Sequence, residues 1–192
     1  MNICVYGAAS TEIEKDIVLK TEKLGEAMAK RGHALVFGGG KNGMMGAVAR
    51  GAYREKGKII GIAPTFFDAL GVYLEGCSEF ISTETMRERK QIMEESSDAF
   101  IVTPGGIGTF DEFFEILTLR SLGRHNKPIA VYNINGYYDH LEAMLLSAVE
   151  GRFMEKATME LCQFFDDPEK LLDYLETDER KLMKIEESRK IK

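Results

Sequence analysis

The chain has 192 residues, 44% hydrophobic and 29% charged, and 25 lysines and arginines against 31 aspartates and glutamates leave a formal charge of −6. Such an acidic balance gives no electrostatic footprint for nucleic acid or an anionic membrane, although a local basic pocket for a small phosphorylated ligand stays open. Cys4, Cys77 and Cys162 are isolated, odd in number and outside any CxxC pair, which argues against a disulfide framework and a structural zinc site. No apolar run approaches the roughly 18 residues of a membrane helix, and the start MNICVYGAAS lacks the pattern of a signal peptide, so a cytoplasmic protein is expected.

Short apolar runs ending in glycine or proline alternate with longer helical patterns, the signature of crossover units that feed a parallel sheet. Strands are predicted at Ile3 to Tyr6, Ala34 to Phe37, Lys58 to Ala63, Glu79 to Ser82, Ala99 to Thr103, Pro128 to Tyr132 and Leu161 to Phe165. Helices are predicted at about 11 to 31, 43 to 56, 84 to 97, 109 to 122 and 138 to 150, and a last one opens at Asp167-Pro168, an N-cap followed by proline at the first helical position. The expected fold is α/β, a three-layer Rossmann-like doubly wound parallel sheet in a single domain over residues 1–176. Residues 177–192 continue a stretch of mixed charge, from Glu176 onward, expected to be a frayed surface helix without chemistry.

In an open parallel sheet ligands bind beyond the carboxyl ends of the strands. Three of those ends are unusual: Gly7-Ala8-Ala9-Ser10, the run Gly38-Gly39-Gly40-Lys41-Asn42-Gly43-Met44-Met45-Gly46, and Pro104-Gly105-Gly106-Ile107-Gly108-Thr109. Glycines between a strand and a helix let the backbone approach an anion, and the helix start offers free N–H donors and the positive end of its dipole. Two such loops point to a phosphorylated ligand, while tight turns without a ligand remain the alternative for residues 38 to 46. Those residues match GxGxxG, yet the next strand, Ile59-Ile60-Gly61-Ile62-Ala63-Pro64, carries no acidic residue for ribose hydroxyls, so a nicotinamide cofactor fits poorly. GxxxxGK[ST] and GxSxG are absent.

Asp111, Glu112 and Glu115 put three carboxylates in the first two turns after the second loop. Thr109 and Glu112 have capping-box spacing, a structural role for Glu112; alternatively that carboxylate faces the sugar of a bound nucleotide and stabilises an oxocarbenium-like transition state. On the helix from 84 to 97, Arg89 falls near the centre of the apolar face defined by Met86, Ile92 and Met93, where a guanidinium needs a carboxylate or a ligand in the cleft. Lys90 sits on the adjacent edge. His33, His125 and His140 are scattered and read as surface or turn residues, so no metal site is expected. Met44 and Met45 read as core, with a border on a base pocket as the other possibility.

These residues resemble the LONELY GUY family of cytokinin riboside 5′-monophosphate phosphoribohydrolases, often mislabelled as lysine decarboxylases. Its PGGxGTxxE motif is similar to Pro104–Glu112, its MxxRK to Met86–Lys90, and its GGGxxGLMG to Gly38–Gly46; Lys127-Pro128 and Asn135-Gly136-Tyr137-Tyr138 extend the match. Ile107, where tyrosine is frequent, and Asp111, in place of the first glutamate of GTxEE, depart from the pattern. The resemblance implies a homodimer that cleaves the N-glycosidic bond of adenosine 5′-monophosphates, preferably N6-substituted, releasing base and ribose 5-phosphate without cofactor or metal. It further implies Arg89 and Glu112 as the catalytic pair. Gly105, Gly106, Ile107, Gly108 and Thr109 would hold the 5′-phosphate, with Lys90, Asp111, Gly39, Gly40, Gly43 and Met45 nearby. A carrier that binds a nucleotide or phosphorylated cofactor without chemistry is the competing expectation. Pyridoxal-dependent decarboxylation would need a Schiff-base lysine and ring-nitrogen partners, a constellation not legible here.

Overall fold

In the computed structural model, which describes residues 1–70 and 74–177, seven strands form one all-parallel sheet. In chain order the elements are β1 (Asn2–Tyr6), α1 (Lys15–Lys30), β2 (Ala34–Phe37), α2 (Gly43–Arg54), β3 (Ile59–Pro64), β4 (Glu79–Thr83), α3 (Met86–Glu95), β5 (Ala99–Val102), α4 (Ile107–Ser121), β6 (Ile129–Tyr132), α5 (Asp139–Glu150), β7 (Gln163–Phe165) and α6 (Pro168–Thr177). Spatial order is β4-β3-β2-β1-β5-β6-β7, so the winding reverses between β1 and β5, and a crevice opens beyond their carboxyl ends. Cys4 is flanked there by Val36 of β2 and Phe100 of β5.

Burial of both sheet faces explains why β1, β2, β5 and β6 are nearly continuous apolar runs. Alternate residues serve alternate layers. Ile3, Val5, Leu35, Phe37 and Ile101 pack with Leu24 and Met28 of α1, Val48 of α2 and Leu171, Leu172 and Leu175 of α6. Cys4, Tyr6, Val36, Phe100 and Val102 pack with Met93 of α3, Phe113 and Ile116 of α4, and Leu141 and Leu145 of α5. Buried Glu22 bolts α1 to α2 by accepting from Arg50 Nε at 2.8 Å and Arg54 at 2.6 Å.

Several expectations need correction. The first helix begins at Lys15 rather than near 11; ahead of it the Ser10 hydroxyl accepts from the Glu12 amide at 3.2 Å, a local bond that competes with helix there. His33 and His125 lie in the connections that follow α1 and α4 and are buried: His33 faces Glu176 at 2.8 Å, and His125 Nε2 meets the Ile116 carbonyl at 2.9 Å. The last helix does open at Asp167-Pro168, with Asp167 Oδ1 accepting from the Glu169 and Lys170 amides. It does not fray at Glu176, which Arg31 and His33 hold against α1. Apart from Thr177, the expected charged tail lies outside the described residues. Residues 65–70, 134–136 and 156–161 form 3-10 turns that period-based reading treats as loop. Among the described residues no helix is long and apolar enough to cross a membrane.

Candidate active site

A cavity of about 550 Å³ occupies the crevice at the winding reversal. Gly7, Ala8, Ala9 and Ser10 wall it from the end of β1; Gly38, Gly40, Asn42 and Met45 from the end of β2; Phe67 from the turn after β3. Met86 and Arg89 enter from α3, and Gly106, Gly108, Thr109 and Glu112 from the start of α4.

Arg89 and Glu112 are the two charged groups in this lining, and both are buried, at 6% and 7% exposure. Their side chains meet at 2.6 Å, Arg89 Nη1 donating to Glu112 Oε1, while Arg89 Nε donates to the Ile62 carbonyl at 3.2 Å. Helix α3 presents Arg89 inward because Thr85 caps it, accepting from the Glu88 amide at 3.1 Å, and Met93 one turn on is anchored in the core. Gly38 makes room for the guanidinium: a Cβ there would lie 2.1 Å from Arg89 Nη2. Burial pushes the Glu112 carboxyl above the ordinary carboxylate range, and the Arg89 charge beside it only partly reverses this. A carboxylate so placed holds a proton more readily than one in water. Removing either partner leaves a buried charge alone, a loss of about 3–5 kcal/mol.

The two glycine loops behave differently. At the start of α2 the Met44 and Met45 amides donate to the Ala8 carbonyl at 2.8 and 3.4 Å, and the Gly46 amide to Asn42 at 2.9 Å, so these donors are already used. Gly39 and Gly43 have φ of 75° and 59° and shape the turn without lining the cavity. At the start of α4 no side chain caps the helix, and the Phe110 amide makes the first intrahelical bond, to Gly106 at 3.0 Å. Among the described residues the amides of Ile107, Gly108 and Thr109 are thus the orphan donors of this helix N-terminus, and Gly108 and Thr109 line the crevice.

This geometry bears on several expectations about single residues. α4 begins at Ile107 with Gly106 as its N-cap, so Thr109 lies inside the helix and forms no capping box with Glu112. Lys90 turns away from the cavity to Asp111 at 2.9 Å and Glu115 at 2.6 Å, a second tie between α3 and α4 on their outer side. Burial lowers the affinity of Lys90 for its proton, but the two carboxylates outweigh that and hold its pKa above the usual lysine value. Ile107 points outward at 86% exposure, and Gly105 is buried behind the loop, where its Cβ position meets Thr109 Oγ1. Met44 is fully core, whereas Met45 borders the cavity.

Ser10, Asn42, Phe67 and Met86 line the cavity without having been singled out as ligand-binding residues. All but Met86 follow the carboxyl end of a strand, and that position was the signal available.

Similarity to known proteins extends over most of the chain. The profile of a family described as "Possible lysine decarboxylase" matches residues 45–175. A cytokinin riboside 5′-monophosphate phosphoribohydrolase of Mycobacterium tuberculosis is 42% identical over 158 residues, covering 82% of this chain and 84% of that protein. One of the same name from Rhodococcoides fascians is 40% identical over 138 residues, covering 71% and 70%. Among solved structures, the molybdenum cofactor carrier protein of Chlamydomonas reinhardtii superposes with a TM-score of 0.70 at 20% identity, covering 91% and 95%, a likeness of fold.

Proposed function

The chain belongs to the cytokinin riboside 5′-monophosphate phosphoribohydrolase family, and from this premise we propose that it hydrolyses the N-glycosidic bond of adenosine 5′-monophosphates, with N6-substituted ones preferred. The observation that carries the reading is the buried Arg89–Glu112 pair, 2.6 Å apart, in the same cavity as the open start of α4.

In this mechanism the 5′-phosphate sits on the orphan amides of α4, where backbone donors and the helix dipole favour an anion. The apolar side chains of Met45, Phe67 and Met86 offer a wall for the base. Cleavage breaks the bond from the anomeric carbon to the base nitrogen, whose electron pair leaves with the base, and water supplies the oxygen of the new bond. Glu112 takes the proton released by water, for which its raised proton affinity suits it, and that proton restores the neutral base. Arg89 keeps Glu112 oriented and offsets its charge until the sugar becomes cationic, when the carboxylate stabilises it. The decarboxylase description finds less support: among the described residues no lysine lines the cavity, and Lys90 is tied to carboxylates that raise its pKa, opposite to what a Schiff-base amine needs.

Incubation with AMP and, separately, N6-isopentenyl-AMP should release free base and ribose 5-phosphate, followed by chromatography. Glu112→Gln, which keeps the shape of the side chain, should lower the rate by about 10²–10⁴-fold while nucleotide still protects against thermal unfolding. Binding without product from the unaltered protein would instead favour a carrier. A homodimer belongs to the same reading, since exposed Ile107 and Phe153 are apolar surface a partner would cover; light scattering distinguishes 21.5 kDa from twice that mass.

A further inference from the structure

The stretch Asn135-Gly136-Tyr137-Tyr138 takes no part in the hydrolysis above and lines none of the reaction cavity. It nevertheless reaches the anion loop from behind. The Tyr137 hydroxyl donates to the Gly105 carbonyl at 2.7 Å, and the Tyr138 hydroxyl donates to the Thr103 carbonyl at 2.7 Å.

We propose that Tyr137 is a positioning residue that fixes the peptide plane between Gly105 and Gly106 so that the loop presents N–H groups, and not a carbonyl, to the phosphate. The inference rests on reading the cavity as a phosphate site.

A trans peptide carries its C=O and N–H on opposite sides, and no described peptide is cis. Holding the Gly105 oxygen outward on Tyr137 therefore keeps the Gly106 N–H on the other side, and Gly106 lines the cavity. Two glycines flank this plane, so rotating it by half a turn meets little steric resistance from either neighbour. Packing does not hold the cavity side either: a Cβ at Gly106 or Gly108 would find nothing within 4 Å. A rotated plane would turn a carbonyl dipole toward an incoming anion, converting attraction into repulsion.

The tyrosine that opposes this is well anchored. Its ring meets Tyr138 edge-on, centroids 4.9 Å apart, and Tyr138 is fully buried with its amide donating to Asn133 Oδ1 at 2.6 Å. Asn135, at φ 56°, accepts from Lys20 and donates to Asp16, tying the turn to α1.

Tyr137→Phe removes the hydroxyl and keeps the ring contact. By calorimetric titration, the dissociation constant for ribose 5-phosphate should rise roughly fivefold to tenfold, while that for adenine stays within about twofold and Tm within about 2 °C. With AMP as substrate the loss should fall on KM, with kcat within about twofold. Unchanged ribose 5-phosphate affinity, or equal weakening of both ligands with a lower Tm, overturns the assignment. If the unaltered protein binds no ribose 5-phosphate, the phosphate reading itself fails and the assignment with it; if it binds and Tyr137→Phe binds equally, only the assignment fails.

Discussion

Two glycine loops open helices onto one crevice, and they differ in what their amides already hold. At α2 the Ala8 carbonyl accepts from both Met44 and Met45, so the loop is closed by the neighbouring strand end. At α4 no side chain caps the helix, and the corresponding donors face the cavity. A glycine-rich strand-to-helix turn is therefore an anion site only where the fold supplies no internal acceptor. The first loop does its work as scaffold: its Gly38 leaves the space into which Arg89 reaches.

The largest effect expected from this contrast is at the closed loop. A Cβ at Gly46 would stand 1.9 Å from the Lys41 carbonyl oxygen, so Gly46→Ala should lower stability by about 3 kcal/mol and Tm by roughly 6–12 °C. Below its melting range the variant should bind ribose 5-phosphate as before; weaker binding with an unchanged melting curve would reverse the roles of the two loops.

At the open loop the pattern inverts. Gly106 has φ −98° and ψ −151°, ordinary for any residue, and free space around its Cβ position. Gly106→Leu should melt like the unaltered protein yet bind ribose 5-phosphate at least about tenfold more weakly, as the side chain fills the anion's place. Undiminished binding would move the phosphate elsewhere in the cavity.

The smallest effect concerns the far end of α4, which is closed like α2. The Lys127 amide donates to His125 Nδ1, so a neutral imidazole donates from Nε2 to the Ile116 carbonyl. Burial, aided by the charges of Lys127 and Arg120 and opposed by that carbonyl, pushes the His125 imidazole down to about 4. Its folded pKa lies below the unfolded value near 6.5. The stabilisation is accordingly present above pH 6.5 and is lost as pH falls toward 4, on the order of 1 kcal/mol by pH 5.5. Urea unfolding at pH 7.5 and 5.5 should register this difference, and His125→Gln should flatten it.

Much of this was legible in the residues. Apolar runs bounded by glycine and proline locate all seven strands to within about two residues; burial on both faces leaves an unbroken signal in the inner strands, and it is weaker at the exposed edge strands β4 and β7. Helical spacing likewise places Arg89 on the inner face of α3, and 6% exposure bears that out. Periodicity reports burial, however, and not the identity of a partner. Nothing in it distinguishes Lys90 entering the cavity from Lys90 turning to Asp111 and Glu115, since that choice depends on how α4 lies against α3. Thr109 and Glu112 show the same limit: the capping spacing is real, but tertiary contacts begin the helix two residues earlier. Phe67 reaches the cavity from an irregular turn whose shape no short-range pattern encodes.

The pairing of β1 with β5 joins Ile3 to Ala99 and Tyr6 to Val102. The crevice between them exists only after a loop of nearly the whole preceding chain has closed, which makes it a late and slow event in folding. On the ribosome, β1 through β4 and the α1–α2 pair emerge first and can assemble as half a sheet whose open edge is β1. That edge is apolar and unpaired until β5 arrives, so the nascent chain is most prone to aggregate while its reaction site is still missing a wall. Slower or cooler synthesis should therefore raise the yield of folded protein more than any added ligand, because the ligand has nothing to grip until β5 and the start of α4 are in place.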